Sequence, residues 1–426
     1  MIQQTILPFK LEVSRDTITS HAGLALLGEF CIGLDLRAVI DRCLPKAGSG
    51  AGYKASEYVL ALVLMLNGGG RSLEDMRVIR ADSGLRQLLA LNCVPSSDAF
   101  GNWLRRMGEG QGLQGLAAGQ RRFLKRGLKY DGIRGYTLDI DATGIEAQKE
   151  SAAMTYKGYT GYMPMVGNLA ENGLVVGDEF REGNESPGSA NLEFIKYCMR
   201  QMPAGKRIQS LRADAAAYQA DIINFCEKQA MQFAIGADLD EAVMRAIKAL
   251  PQAEWRPYRG GHIAETVHCM NRTDKAFRLI IVRRPYQQGL YAEPELKLHY
   301  TAIASNRTDA AEDVMDWYHQ RGECSENRIK ELKIGFGMER MPCGQTAANA
   351  MFFRIGAMAY NICRLFVLKT LAVGWHKHQV HSLRWRLFQT PGKVVDHANR
   401  VYLKVRRGLS RLFDEIRLRI WEFAKT

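Results

Sequence analysis

The chain has few of the features that mark secreted or membrane proteins. Its nine cysteines are scattered, odd in number and without a C-x-x-C pair, which argues against a disulfide framework and against a zinc site. The longest apolar run, Val59–Leu66, has only eight residues, too few to cross a bilayer. No signal peptide is visible at the N-terminus. These absences predict a cytoplasmic protein without a membrane partner.

Acidic residues are also in deficit, with 45 Asp and Glu against 58 Lys and Arg and a net charge of +13. From Arg340 to Thr426 there are 16 basic and 4 acidic residues, an excess of 12, so nearly all the net charge lies in this segment. Its basic residues alternate with aromatic and aliphatic ones. Such an excess of one sign favours a polyanionic partner such as DNA. A solvated amphipathic helix is the alternative.

The 426 residues divide into three regions that differ in composition and in the spacing of apolar residues. A chain of this length is expected to contain more than one domain. Residues 1–132 show helical apolar spacing. The helices predicted there are 20–31, 34–43, 55–67, 72–79, 84–91 and 98–128. Residues 133–338 alternate strands with helices and contain a block of strands at about 250–300. Residues 339–426 form the basic segment, which we predict to be helical.

Two predicted strands end in acidic residues. Gly135–Thr143 has apolar and β-branched residues leading to Asp139 and Asp141, and the short apolar strand in Ile208–Ala215 ends at Asp214. Residues two apart on a strand point to the same face, so either Asp139 or Asp141 could be a ligand. Taken alone, Asp214 is more typical of a helix N-cap than of a metal ligand. The acidic residues at the two strand ends therefore indicate a metal site only if a third acidic residue accompanies them.

A third acid lies in a stretch of characteristic spacing. Tyr318 and Arg321 precede Glu326, and Lys330 and Lys333 follow it. Together with the upstream aspartates, this order resembles the Y-R-E-K signature of bacterial insertion-sequence transposases, which are DDE enzymes that cut and rejoin DNA. Six residues separate Glu326 from Lys333, as in the family. Four residues separate Arg321 from Glu326, where the family usually has three.

The resemblance, which extends over residues 135–335, implies an α/β fold. An RNase H-like catalytic core with a β-strand insertion would be flanked by an all-α N-terminal domain and a basic helical C-terminal domain. Asp141, Asp214 and Glu326 would be catalytic and would hold two Mg²⁺ (or Mn²⁺) ions, which prefer oxygen ligands and clamp the attacking and leaving oxygens of a phosphodiester. Residues predicted to contact DNA, from the motif, the insertion and the basic segment, are Tyr318, Arg321, Lys330, Lys333, Trp255, Arg406 and Arg407.

Three of these assignments have alternatives. Asp141 is favoured over Asp139 because it stands immediately before the x-Thr of the family's D-x-T. Glu323 competes with Glu326, because on a regular helix both share a face with the two motif lysines; Glu326 fits the motif more fully. Trp255 opens the β insertion, where an aromatic residue of hairpin-forming relatives stacks on a flipped base. It can equally pack in the core of the insertion.

The sequence therefore predicts a transposase of the bacterial cytoplasm and nucleoid that cleaves transposon ends and joins them to target DNA. The expected partners are double-stranded DNA, as terminal inverted repeats and as target, and a second copy of the chain. Residues 1–132 are predicted to bind the ends and to dimerise, with a scaffold lacking DNA contact as the alternative. The alternative functions are a catalytically silent DNA-binding regulator and an RNase H-like nuclease without strand transfer.

Overall fold

Helices dominate the first part of the chain. A computed structural model describes residues 6–7, 9–46, 48, 52–285 and 298–425, without the side chains of Glu323 and Cys324. After the short strand β1 (Thr17–Thr19), the helices are α1 (Ala22–Gly33), α2 (Leu36–Cys43), α3 (Ala55–Gly68), α4 (Met76–Ala81), α5 (Ser83–Leu88), α6 (Ser97–Glu109) and α7 (Gly112–Gly127). Their apolar faces form one continuous core with the helices near the C-terminus.

The sequence predicted one helix over 98–128, but two helices are present. Ser96 caps the start of α6, since its hydroxyl accepts the Ala99 N–H at 3.3 Å. Gly110 then adopts φ −105° and ψ −147°, which ends the helix, and α7 begins at Gly112. The apolar spacing continues across this break, so periodicity alone could not reveal it. Glycine adopts non-helical backbone angles at little energetic cost, which explains why the helix breaks at Gly110.

A mixed α/β region follows. Its strands are β2 (Gly135–Ala142), β3 (Ile145–Glu146), β4 (Ala153–Met154), β5 (Thr160–Tyr162), β6 (Met165–Leu169), β7 (Val175–Glu179), β8 (Arg207–Ala213), β9 (Gln232–Gly236), β10 (Arg256–Tyr258), β11 (Gly261–His268), β12 (Phe277–Pro285) and β13 (Leu298–Ser305). Its first helices are α8 (Asn191–Gln201), α9 (Ala220–Lys228) and α10 (Glu241–Lys248). The block of strands that the sequence predicted at about 250–300 corresponds to β10, β11, β12 and β13, although residues 286–297 of it lie outside the described residues.

Nine of these strands form one sheet in the order β10-β11-β12-β13-β9-β8-β2-β6-β7. Strand β2 is parallel to β8, and β8 is parallel to β9. Strands β6 and β7 are antiparallel to their neighbours on one side, and β13 to β10 are antiparallel on the other. The strands of the predicted insertion therefore extend the central sheet through β13. Because β2, β8 and β9 are parallel, their carboxyl ends lie at one edge of the sheet.

A continuous helical run, Ala311–Gly335, follows β13, and we call it the acid-bearing helix. It consists of α11 (Ala311–Arg321), a π-helical turn (Gly322–Glu326), α12 (Asn327–Lys330) and a second π-helical turn (Glu331–Gly335). The regular α-helical spacing that was predicted from Glu323 to Lys333 is therefore wrong. A π turn holds one residue more than an α turn, so the chain accommodates an additional residue here.

The C-terminal part was predicted to be helical, and it is only partly so. Its helices are α13 (Thr346–Thr370), α14 (Val380–Leu383), which continues as a π-helical turn (Arg384–Phe388), and α15 (Arg407–Ala424). Between them, β14 (Gly392–His397) and β15 (Arg400–Lys404) form a hairpin that pairs with β1 from the N-terminal part. The two strands contain Val394, Val395, Val401 and Tyr402, and β-branched and aromatic residues favour strands. The prediction for this segment rested on its basic residues, and these strands were therefore not predicted.

Helix α13 is the one helix in the described part of the chain that is long and apolar enough to cross a membrane. Its most apolar window has a mean hydropathy of 1.4, and 83% of that window is buried inside the structure. Arg354 and Arg364 interrupt its apolar sequence, so it contains no long uninterrupted apolar run. It packs against α3, α6 and α7, so its apolar surface is covered by protein.

Candidate active site

Two of the predicted acids lie at the same edge of the sheet. Asp141 is the penultimate residue of β2, and Asp214 directly follows β8, its parallel neighbour. The guanidinium of Arg321, at the end of α11, lies between them. Its Nη2 is 3.5 Å from Asp141 Oδ1 and 3.9 Å from Asp214 Oδ2. Residues from two strands and from the acid-bearing helix therefore meet at one point.

Glu326 is the last residue of the first π turn. Its Oε1 lies 3.8 Å from where a Cβ on Gly322 would stand, so the side chain lies back along the turn. Glu326 is exposed, Asp141 is half-buried, and Asp214 has a side chain that is 47% exposed. The negative charges of Asp214 and Glu326 both act on Asp141. The three acids predicted from the sequence thus form one electrostatic cluster.

Burial and the negative charges of neighbouring carboxylates disfavour the ionised form of Asp141. Removal from solvent is the largest cause, the charges of Asp214 and Glu326 add to it, and Arg321 opposes it, so that the pKa of the Asp141 carboxyl rises to about 6. A carboxylate cluster with one arginine carries excess negative charge. That donor set consists of oxygen atoms, which suits a hard divalent cation such as Mg²⁺ or Mn²⁺.

The cluster is arranged around an arginine rather than around a preformed metal cage. Among the residues whose side chains are described, no group of three or more His, Cys, Asp or Glu is placed to hold a metal ion. Within the same described part of the chain, neither the buried Arg321 Nε nor the buried Ser325 hydroxyl has a hydrogen-bond partner. The carboxylate chemistry nevertheless fits a divalent cation. Glu323, the alternative third acid, lies outside the described side chains.

Asp139 has a different role from Asp141, although both point to the same face of β2. Both of its oxygens accept hydrogen bonds from Arg212 on the neighbouring strand β8, at 2.7 and 2.8 Å. The pair is fully buried, and Arg212 also donates to the Trp317 carbonyl oxygen of the acid-bearing helix at 2.6 Å. With both oxygens engaged, Asp139 ties the helix to the sheet. The geometry therefore favours Asp141 as the metal ligand.

Tyr318 lies beside the acids. A Cβ on Gly236, the last residue of β9, would stand only 2.9 Å from the Tyr318 hydroxyl oxygen, so the absence of a side chain there admits the phenol. Burial raises the pKa of that phenol. The charge of Arg321 lowers it, and those of Asp214, Asp141 and Glu326 raise it further. Tyr318 and Arg321 are thus the two motif residues closest to the acid cluster after Glu326.

The two motif lysines are placed differently. Lys333, in the second π turn, donates from Nζ to the Gly144 carbonyl oxygen at 2.6 Å, just beyond the end of β2. Lys330 is exposed, and no contact joins it to the acid cluster in the part of the chain that the structure describes. Lys333 therefore borders the cluster, whereas Lys330 lies on the outer surface of the acid-bearing helix.

Trp255 was predicted to be available for stacking on a DNA base, and in this respect the prediction needs correction. Its side chain is only 8% exposed, and the Arg283 guanidinium lies 4.1 Å from the centre of its ring. The ring also packs near Tyr300. The alternative stated from the sequence, packing within the insertion, describes its position. A buried tryptophan needs no ligand to satisfy its apolar surface.

Arg406 and Arg407 are exposed and lie where α15 begins. No contact joins either of them to the acid cluster within the described residues. Several other basic residues of the C-terminal segment are engaged internally: Arg354 with Asp178, and Arg417 with Glu29. The excess of 12 positive charges therefore overstates the charge that this segment offers to a partner.

Two arginines that organise the site were not recognised as such from the sequence. Arg212 neutralises Asp139, and Arg321 lies between two aspartates where a DNA contact was expected. A signal for Arg212 was available, because a charged residue in an apolar strand two positions before Asp214 requires a buried partner. The carboxyl-bearing face of β2 was the obvious place to look for that partner.

Comparison with known proteins identifies the family. No curated protein sequence matches the chain. A cryo-EM structure of the piggyBac transposase synaptic complex with hairpin DNA is similar at 11% identity and a TM-score of 0.46, covering 88% of this chain and 82% of that one. The family model described as transposase DDE domain group 1 matches residues 8–415, nearly the full length. The chain therefore belongs to the transposase DDE domain group 1 family.

Proposed function

We propose that this protein is an insertion-sequence transposase that cleaves DNA at the element's ends and joins the freed 3′-hydroxyls to target DNA. The single observation that carries this proposal is the position of Asp141 and Asp214 at one edge of the sheet, on either side of Arg321 and within electrostatic range of Glu326. Carboxylates from two strands and a helix at a shared point can hold hard cations for phosphodiester chemistry. Family membership makes that chemistry the expected one.

An RNase H-like core is part of the proposal. Support comes from the order β7-β6-β2-β8-β9, with β2 antiparallel to β6 and parallel to β8. In such a core the first strand is central and carries the first acid, and the fourth strand lies beside it and carries the second. Asp141 and Asp214 occupy those two strand ends. Strands β10 to β13 then correspond to the insertion.

Asp141, Asp214 and Glu326 would hold two Mg²⁺ or Mn²⁺ ions, which supply a nucleophile at neutral pH and compensate charge at the phosphate. The chain's own groups do the rest. Arg321 and Tyr318 lie beside the acids, where a guanidinium and a phenol can bind and orient a phosphate. Asp139 and Arg212 keep the acid-bearing helix against the sheet. Lys333 holds the chain just beyond β2 through the Gly144 carbonyl.

The proposed partners are double-stranded DNA and a second copy of the chain, in the bacterial cytoplasm. The test uses duplexes that cover the DNA on both sides of the gene, incubated with Mg²⁺ or Mn²⁺. We expect specific cleavage by the wild type and none by Asp214→Asn or Glu326→Gln, with gel-shift binding retained in all three. Joining of a precut end to a plasmid is expected as well. Cleavage without joining would instead identify a nuclease, and unimpaired cleavage by either variant would refute the site.

A further inference from the structure

The end of the acid-bearing helix is held by a separate segment, Val380–Phe388, which we call the clamp segment. It comprises α14 and the π turn that follows. Glu331, on the acid-bearing helix, accepts the Val380 N–H at 2.7 Å, at the start of the clamp segment. Arg384, on the clamp segment, donates from Nη2 to the Gly335 carbonyl oxygen at 2.6 Å, at the end of the acid-bearing helix. Each segment thus satisfies a terminal backbone group of the other.

Arg384 makes a second connection. It donates to the carbonyl oxygens of Leu66 at 2.6 Å and Asn67 at 2.9 Å, both in the last turn of α3. The last carbonyl groups of a helix lack partners within it, and the negative end of the helix dipole favours a cation there. One guanidinium therefore joins the ends of two helices, one from the N-terminal region and one that carries Glu326.

The burial of these side chains shows that the contacts are built into the fold. Arg384 is 8% and Glu331 9% exposed. Arg384 pairs with no carboxylate among the described residues, and its charge is satisfied by the three carbonyl oxygens and by the Phe336 ring at 5.9 Å. A buried cation without a counter-ion is costly unless it is fully hydrogen-bonded. Its presence is explained by the three segments that it joins.

The acid-bearing helix needs such an external anchor. Between Arg321 and Gly335 it contains two π turns separated by only four residues of α-helix. Turns of this kind occur mainly as single interruptions of α-helices, and two so close together specify the helix end poorly. The Arg321 Nε, just before the first π turn, and the Ser325 hydroxyl, within it, also lack hydrogen-bond partners among the side chains that the structure describes. The hydrogen bonds of Glu331 and Arg384 supply what the helix itself does not.

We propose that Glu331 and Arg384 are positioning residues that hold Glu326 within reach of Asp141 and Asp214, and that they link this placement to α3. This inference rests on the proposed function, because it gives Glu326 a catalytic role. Glu331 lies five residues beyond Glu326 on the same helix, so a shift at the anchor moves the acid. A misplacement of about 1 Å far from the chemistry can lower a rate by about a hundredfold.

The test compares variants of the anchor with a matched control. Arg384→Met and Glu331→Ala remove the contacts, whereas Glu331→Gln keeps an oxygen that can accept the Val380 N–H. The control is Arg354→Met. Arg354 is also an arginine with a largely buried side chain, 13% exposed. Among the described residues it binds Asp178 and the Leu113 carbonyl oxygen and makes no hydrogen bond to the acid-bearing helix. Its loss should lower the melting temperature at least as much as the loss of Arg384.

Hydrogen exchange of residues 322–335 is measured together with end binding and cleavage. In Arg384→Met and Glu331→Ala we expect exchange there to accelerate by about tenfold or more, the effect of losing one charge-assisted hydrogen bond. Cleavage should fall by about a hundredfold while DNA affinity stays unchanged. Glu331→Gln should restore most of both. Arg354→Met should keep wild-type exchange in 322–335 and wild-type cleavage per folded molecule.

Two results would overturn the inference. One is wild-type exchange in residues 322–335 of Glu331→Ala, and the other is a loss of cleavage in Arg354→Met as large as in the anchor variants. If Arg384→Met does not fold, the comparison of Glu331→Ala with Glu331→Gln decides. A wild-type protein that fails to cleave would count against the proposed function alone, because the exchange measurement still tests whether the clamp segment anchors the helix.

Discussion

Replacing Asp141 by Asn should make the metal-free protein more stable while it abolishes cleavage. Asp141 lies beside Asp214 and Glu326, and burial together with their charges raises the pKa of its carboxyl from 3.8 to about 6. Asn has the shape of the neutral carboxylic acid and cannot ionise. The substitution therefore removes a charge that the folded chain disfavours, and it also removes an oxygen ligand for the metal.

The size of this effect follows from the pKa. The carboxyl binds its proton more tightly in the folded chain than in the unfolded chain, so the penalty is absent below about pH 4 and complete above about pH 6. A shift of about two units corresponds to about 3 kcal/mol. The side chain of Asp141 is only 20% exposed, so solvent screening reduces this value only modestly. The variant should thus gain about 3 kcal/mol at pH 8 and almost nothing at pH 4.

The assay is denaturant unfolding of wild type and variant between pH 4 and pH 8, in the presence of a chelator and then of Mg²⁺. Mg²⁺ should stabilise the wild type and leave Asp141→Asn unchanged. Asp139→Asn is the matched control, two residues earlier on the same strand. It should lose about 3–5 kcal/mol because it leaves the buried Arg212 without a counter-charge. An Asp141→Asn protein that is no more stable than wild type at pH 8 would refute the reasoning.

Three further predictions concern Arg321 in the site, Trp255 in the insertion, and Arg406 and Arg407 at the start of α15. Arg321→Met removes the cation between Asp141 and Asp214, so the melting temperature of the metal-free protein at pH 8 should fall. The increase in melting temperature on adding Mg²⁺ should exceed that of the wild type, and an equal increase would contradict this prediction. Trp255→Ala should cost about 3–5 kcal/mol in thermal unfolding, whereas nicking and second-strand processing per folded molecule should fall equally if at all. Neutralising Arg406 and Arg407 together should reduce the slope of log K against log salt by about 0.9 for each phosphate contact, and an unchanged slope would mean a solvated surface.

The parts of the site that local signals encode could be predicted from the sequence. Asp141 and Asp214 follow apolar, β-branched stretches, and the strands do end there. Their convergence required only that β2 and β8 be parallel neighbours. The transposase family, expected from the order of the three acids and the Y-R-E-K spacing, is confirmed by the family match over residues 8–415. The DNA contacts, the metal ions and the dimer stay predictions.

Features that depend on contacts between distant parts of the chain could not be predicted. Arg212 and Asp139 are 73 residues apart, and their pairing is visible only once β2 and β8 are adjacent. Arg384 contacts Leu66 across 318 residues, so its position in a basic segment suggested DNA rather than the end of a helix. The hairpin at 392–404 was missed for a related reason, because its partner β1 lies at the other end of the chain.

The first π turn accommodates the interval between Arg321 and Glu326, which is one residue longer than in the Y-R-E-K pattern that the sequence resembles. One residue inserted into a regular α-helix would rotate everything beyond it by about 100°, which would turn Glu326 away from the face that carries Arg321. The π turn at Gly322–Glu326 takes up that residue, and Glu326 still acts on Asp141 together with Arg321. A widened turn is a weaker determinant of position than a regular one. The hydrogen bonds that Glu331 and Arg384 make further along the helix therefore supply the positional restraint that the π turn lacks.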